Sequence, residues 1–141
     1  MLEYEDIQGT ILQGYRVDHA RHFALRVKAG TRARKFLGSL VDETSKLPQI
    51  TTAQRWDDKP KSFLNVGITA TGLTALGVPV EGFPRAFKRG ATSDTTLDLI
   101  GDVDASAPSH WVEGFRHGAR VDLILSLWVH EDVDELHRVS A

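Results

Sequence analysis

Residues 121–129, Val-Asp-Leu-Ile-Leu-Ser-Leu-Trp-Val, constrain the fold of this chain more than any other stretch. Val121, Leu123, Leu125, Leu127 and Val129 recur at every second position, the period of a pleated strand with one buried face. A strand this apolar needs neighbours and a covering layer before it is stable in water. Two other segments have the pattern to sit beside it. Over residues 22–27, Phe23, Leu25 and Val27 share one face while His22, Ala24 and Arg26 share the other. Over residues 62–69, Leu64, Val66 and Ile68 face the core. A shorter strand is predicted over 50–56, with Asp57-Asp58-Lys59-Pro60 as the turn after it.

Helical periodicity fills the gaps. Between 31 and 47, Ala33, Phe36, Leu37, Leu40 and Val41 recur at helical spacing, with Phe36 and Leu40 at the centre of the apolar stripe. Arg34, Lys35, Asp42 and Glu43 make the polar face, and Pro48 blocks continuation. Thr71 is placed to cap a short helix over 72–76, and Gly77 to take the left-handed position after it. A further helical piece covers 84–100, with a break at Gly90. The resulting order is β-α-β-β-α-β. It predicts an α+β, ferredoxin-like domain spanning residues 1–141, an antiparallel sheet with helices on one face.

The other face of that sheet would carry Ala24, Phe63, Asn65, Gly67, Ile124 and Trp128. A solvated face alternates to polar residues, and this one does not. The expectation is that a second domain or a second copy covers it, with the loop from 80 to 120 as the internal alternative.

Composition removes several function classes. A net charge of −2 lacks the basic footprint of a nucleic-acid binder. No apolar run approaches the ~20 residues that span a bilayer. With no cysteine, disulfides, thiolate nucleophiles and sulfur ligands are excluded. Met1 leads into Glu3, Glu5 and Asp6 rather than a basic segment, so a cytoplasmic protein is expected.

Few residues offer chemistry. His19 and His22 have the spacing of a helical metal pair, but His22 falls in a strand, which spoils that geometry. His110 beside Trp111, and His117 in a Gly-rich turn, could in principle ligate iron, yet neither has a ligand context. Ser106, Ser109 and Ser126 lack a Gly-x-Ser-x-Gly setting. Asp57, Asp58 and Lys59, and the acidic run 131–135, fit solvated surface, the latter also the start of a terminal helix. Trp56, Trp111 and Trp128 fit packing. No catalytic, cofactor-binding or metal residue is assigned.

Two motifs and several shorter pieces, in their order along the chain, are more specific. Asp6-Ile7-Gln8-Gly9-Thr10-Ile11-Leu12-Gln13-Gly14-Tyr15 opens the series, and Leu99-Ile100-Gly101-Asp102-Val103-Asp104-Ala105-Ser106-Ala107-Pro108-Ser109-His110-Trp111 comes late in it. Between and after them lie Ala20-Arg21-His22-Phe23, Thr51-Thr52-Ala53, Phe63 to Thr69, Gly72 to Pro79 and Leu123 to Leu127. This series resembles the amino-terminal half of the dye-decolorizing (DyP-type) haem peroxidases, from Asp6 to His130. The resemblance implies a complete enzyme that uses haem b to reduce hydrogen peroxide and oxidise dyes or other small reductants. It also implies that the catalytic Asp of a Gly-x-x-Asp-Gly motif, the haem-ligating His and the distal Arg belong to the other half. Gly101-Asp102-Val103-Asp104-Ala105 only approximates that motif, since Ala105 replaces its last glycine and its neighbours match another part of the family.

The expected partner is therefore a carboxyl-terminal haem-binding half, with no haem held by this chain and no nucleic acid or membrane involved. Two rival readings remain. One is a non-catalytic domain that dimerises through its sheet into an α+β barrel. The other is such a dimer enclosing haem, with His110 or His117 as ligand.

Overall fold

The computed structural model describes residues 2–116, 120–130 and 132–141. Its sheet has three strands, β1 (His19–Leu25), β2 (Ser62–Ile68) and β3 (Leu123–Val129), in the order β1-β3-β2. The six helices are α1 (Gly9–Leu12), α2 (Gly30–Ser39), α3 (Ala70–Ala75), α4 (Arg85–Arg89), α5 (Asp94–Ile100) and α6 (Val133–Ser140) among the described residues. The strands are antiparallel, and the α+β, ferredoxin-like class stands. Leu123, Leu127 and Val129 are buried, as the two-residue period requires.

The strands are counted differently from the expectation. Residues 50–56 do not form a strand; only isolated bridges occur, Gln8 with Thr52 and Ile50 with Leu64. The segment's backbone groups go to separate partners. Gly9 N–H donates to Thr51 O, Thr51 N–H to Leu64 O and Ala53 N–H to Ile7 O, so no continuous ladder develops. Residues 62–68 are thus the second strand and 123–129 the third. The expected helix over 84–100 is present as α4 and α5, interrupted at Gly90, whose φ is +75°. It lies in the connection between β2 and β3, and α6 is the helix that follows the third strand.

The chain divides into two compact units. The first comprises Met1–Phe23, Arg34–Gly67 and Leu125–Ala141. Its core is Tyr15, Leu40, Phe63, Leu64, Val66, Leu127, Val129 and Leu136. Helix α2 ends at Ser39, well before residue 47, because Gly38 and Ser39 are weak helix formers and Asp42 turns the chain instead. Asp42 Oδ1 accepts from the Thr44 N–H at 3.0 Å and from its hydroxyl at 2.7 Å. This early end displaces the apolar stripe. Leu40 is 2% exposed, but Phe36 is 37% exposed and is not the centre of a buried face. Leu40→Ala should therefore cost roughly 2–5 kcal/mol, and Phe36→Ala less than about 2 kcal/mol, in denaturant titrations.

The second unit comprises Ala24–Ala33 and Ile68–Ile124. Asp122, fully buried, ties it together. Its carboxylate accepts from Val27 N–H at 2.8 Å and Arg120 Nε at 2.7 Å, and its carbonyl accepts from Thr69 N–H at 3.1 Å. Because Val27 is claimed by that side chain, the first strand stops at Leu25. The cap of α3 is Thr69 rather than Thr71: its Oγ1 accepts from Gly72 N–H at 3.0 Å. Gly77 takes the left-handed position as expected, with φ +76°. Gly72 has no alternative, since a Cβ there would stand 2.0 Å from the Asp122 carbonyl oxygen.

Candidate functional site: the second face of the sheet

The face opposite Leu127 and Val129 is built from β2 and β3 residues of the first unit, together with the segment before β1. Phe63 and Asn65 point from β2, and Ser126 and Trp128 from β3. Tyr15 lies over them. Its ring stacks on Phe63 with centroids 4.2 Å apart and planes at 18°, and it meets Trp128 edge-on at 5.5 Å. Its hydroxyl donates to Asn65 Oδ1 at 2.7 Å. Burial pushes the Tyr15 hydroxyl above its usual pKa, against the lowering effect of hydrogen bonds with Asn65, Thr10 and Thr51. The phenol is therefore a neutral donor at ordinary pH.

The Asp6–Tyr15 motif acquires a physical meaning here. Gln8 uses its side-chain amide as a strand would use its backbone: Oε1 accepts Val66 N–H at 2.7 Å, and Nε2 donates to Val66 O at 2.9 Å. Asn65 Nδ2 donates to the same Gln8 oxygen at 3.2 Å. Thr51 completes the seal, its N–H donating to Leu64 O at 2.8 Å and its Oγ1 accepting from Leu64 N–H at 3.1 Å. Gly9 must be glycine, because a Cβ would meet both Tyr15 Oη and Thr52 O at 2.8 Å.

The face is thus partly covered by the chain's own Tyr15, a cover different from the partner or the 80–120 loop that the sequence led us to expect. Phe63 is 0% exposed as a result. Trp56 adds a tilted contact with Phe63 at 5.7 Å. Farther along, Ser126 and Trp128 on β3 stay half-buried, and His22 on β1 is exposed. His22 Nδ1 and Ser126 Oγ are 2.8 Å apart, and the His22 ring meets Trp128 edge-on at 5.8 Å. Tyr15 closes the Asp6–Tyr15 motif, but no periodicity there tells what its ring packs against. The usable signal was Asn65, a polar residue inside an apolar strand that demands a buried partner.

The other candidates are scattered. His19 and His22 alternate along β1 with opposite burial, so the strand separates them onto its two faces. His110, exposed, ends a 3-10 turn, Pro108–His110, whose Pro108 is buried. His117 and Glu131 lie outside the described residues. Gly101 closes α5 at φ +77°, and Asp104 opens an exposed turn at φ +49°. Ser106 Oγ donates to Gly101 O and Val103 O, while Trp111 Nε1 donates to Ser106 O at 2.7 Å, so the 99–111 stretch is held by its own bonds. Ser109 is exposed in the same stretch, as are Asp57, Asp58 and Lys59. Asp132 caps α6, accepting from the N–H groups of Asp134 and Glu135. Among the described residues no group of three or more His, Asp or Glu gathers to hold a metal, and no helix is long and apolar enough to cross a membrane.

Comparison with known proteins gives a consistent result. Residues 6–135 match the family described as the DyP dimeric alpha+beta barrel domain. A curated relative, dye-decolorizing peroxidase msp1 of Mycetinis scorodonius, is 28% identical over 118 residues, covering 81% of this chain and 21% of its own length. The DyP-type peroxidase of Anabaena sp. superposes with a TM-score of 0.78 at 20% identity, over 97% of this chain and 30% of that one. A fungal DyP-type peroxidase from Auricularia auricula-judae gives 0.78 at 23% identity, over 98% and 29%. The chain therefore spans about a fifth of the curated relative it matches, and under a third of these solved chains.

Proposed function

Because this chain belongs to the family of DyP dimeric alpha+beta barrel domains, we propose that residues 1–141 act as the amino-terminal domain of a DyP-type haem peroxidase. In this reading a carboxyl-terminal half holds haem b, and the second sheet face described above meets that half. The haem would supply hydrogen peroxide reduction and the oxidation of dyes or small reductants. This chain supplies a rigid wall.

Among the described residues, the two cavities below do not fit haem. Iron porphyrin needs an axial ligand opening onto an apolar slot. Here His130 pairs with Asp18 at 2.8 Å, and His137 Nδ1 lies 3.4 Å from Arg21. The cavity beside His130, about 360 Å³, is lined by Lys59, Lys61, Asp132 and Glu135. A second, of about 650 Å³, carries Glu5, Asp6 and Glu43 and no histidine. Neither offers a ligand above an apolar slot.

The half-open face carries the proposal. Phe63 is sealed from within, whereas Trp128 on β3 is only half-buried and meets the exposed His22 edge-on. The wild-type chain should self-associate through this surface when no other half is present. Ile124→Lys should give a monomer that still melts cooperatively, because an unpaired charge is costly to bury while Leu123 and Leu127 keep the opposite face. Sedimentation and a thermal melt check both. A wild type that is a clean monomer, with a mutant that unfolds, would make this surface ordinary core and end the proposal.

A further inference from the structure

The two clefts of the first unit are charged differently. In the smaller, Lys59, Lys61 and His130 stand with Asp132 and Glu135, so cations and carboxylates balance within one wall. In the larger, of about 650 Å³, Glu5, Asp6 and Glu43 stand with no lysine, arginine or histidine among the described residues. Glu5 and Asp6 come from the 3-10 turn Tyr4–Asp6, and Glu43 from the turn that follows α2. All three are exposed, and among the described residues none of them has an ion pair. Two separate segments thus bring three uncompensated negative charges to one cleft.

The rest of the wall narrows what could sit there. Ile7, Leu40, Val41 and Ile50 give it apolar surface, of which Val41 is exposed to water. Gln49 also lines the cleft. Its Nε2 donates to Ser39 O at 3.1 Å and to Leu47 O at 2.8 Å, which fixes how the amide is turned. Its Oε1 is buried and has no hydrogen-bond partner among the described residues. A buried acceptor without a donor is costly, and a ligand N–H would satisfy it. The cleft's volume falls within the roughly 300–1,000 Å³ of small-molecule sites. A metal ion does not suit it, because no group of three or more His, Asp or Glu gathers on one point among the described residues. Negative charge spread along a wall suits an extended cation with several N–H donors. Amidinium and guanidinium groups have that form, and they meet carboxylates through paired hydrogen bonds. An apolar body attached to such a group would lie against the hydrocarbon part of the wall.

We infer that this cleft binds a small organic cation, an amidinium or guanidinium carried on an apolar body. The inference is independent of the peroxidase reading. Benzamidinium is the probe, titrated into the full chain at low salt and followed residue by residue in amide NMR spectra. The amides of Val41, Gln49, Ile50, Thr52 and Gln54 should shift together and saturate, while those of Lys61 and Asp132 beside the smaller cleft stay in place. Benzamide has nearly the same shape without the charge and should bind roughly tenfold more weakly, or worse. Glu5→Gln, Asp6→Asn and Glu43→Gln in one protein should weaken benzamidinium by roughly tenfold or more. The same protein should melt as the wild type does, because the three side chains are exposed. Added salt should weaken binding to the wild type, as screening of exposed carboxylates requires. Equal affinity for benzamidinium and benzamide would overturn the inference, as would binding that the triple substitution leaves unchanged. Shifts centred on Lys61 and Asp132 would overturn it too, and so would a titration that has not begun to saturate by about 10 mM.

Discussion

Phe63→Ala is expected to destabilise the first unit by roughly 3–5 kcal/mol. The side chain is fully buried, stacked on Tyr15 at 4.2 Å and touched by Trp56 at 5.7 Å. Removing the ring deletes apolar contact and leaves a hole that Tyr15 cannot collapse into. The Tyr15 hydroxyl is fixed to Asn65, and the approach of its ring edge to Gly9 leaves little room to shift. Phe63→Leu should recover part of the loss, because it keeps volume while giving up the stacking. Denaturant titrations on both variants give the numbers. A cost for the alanine variant near that of Phe36→Ala would mean that the aromatic cluster is not the centre of this core.

Asp122→Ala should cost roughly 2–4 kcal/mol. The change strands the Val27 N–H, removes the Arg120 pair and takes an acceptor from Thr71. Arg120 is partly exposed and can be rehydrated, which limits the loss. Burial pushes the Asp122 carboxyl up, but hydrogen bonds from Arg120, Val27 and Thr71, with the Arg120 charge, outweigh it and hold the group below the usual carboxylate range. The sign follows from that direction. A folded-state value below the unfolded one gives stability that is complete above about pH 4 and is lost as pH falls through the folded-state value. Asp122→Asn should therefore lose stability at neutral pH and show a shallower acid transition than wild type. Parallel acid curves for the two proteins would contradict this.

The parts of the fold that were legible in sequence are those that a single period dictates. Residues 121–129 alternate so strictly that the central strand could be placed without neighbours, and Gly77 and Gly90 marked helix boundaries that the backbone takes up with positive φ. The acidic residues ahead of α6 signalled a helix start, and Asp132 caps it. What failed were features decided by tertiary partners. Ile50-Thr51-Thr52 has strand-forming residues, but its groups are shared among Leu40, Gly9 and Leu64, and no propensity encodes that division. Phe36 sits at the right spacing, yet α2 ends at Ser39 and turns its stripe away. On the candidate face, Phe63 and Trp128 were evident from the pleat. Tyr15 was not, because a loop residue announces its contact only through the partner it satisfies.

The claim that this chain is a wall rather than a haem holder is tested most directly by titrating the purified chain with haem and recording its visible spectrum. Hydrogen peroxide and a dye are then added to the same sample. Weak binding without a defined stoichiometry, and no sustained dye oxidation, is the predicted result. A sharp Soret band saturating at one haem per chain, with continuing peroxide-dependent turnover, would contradict the account.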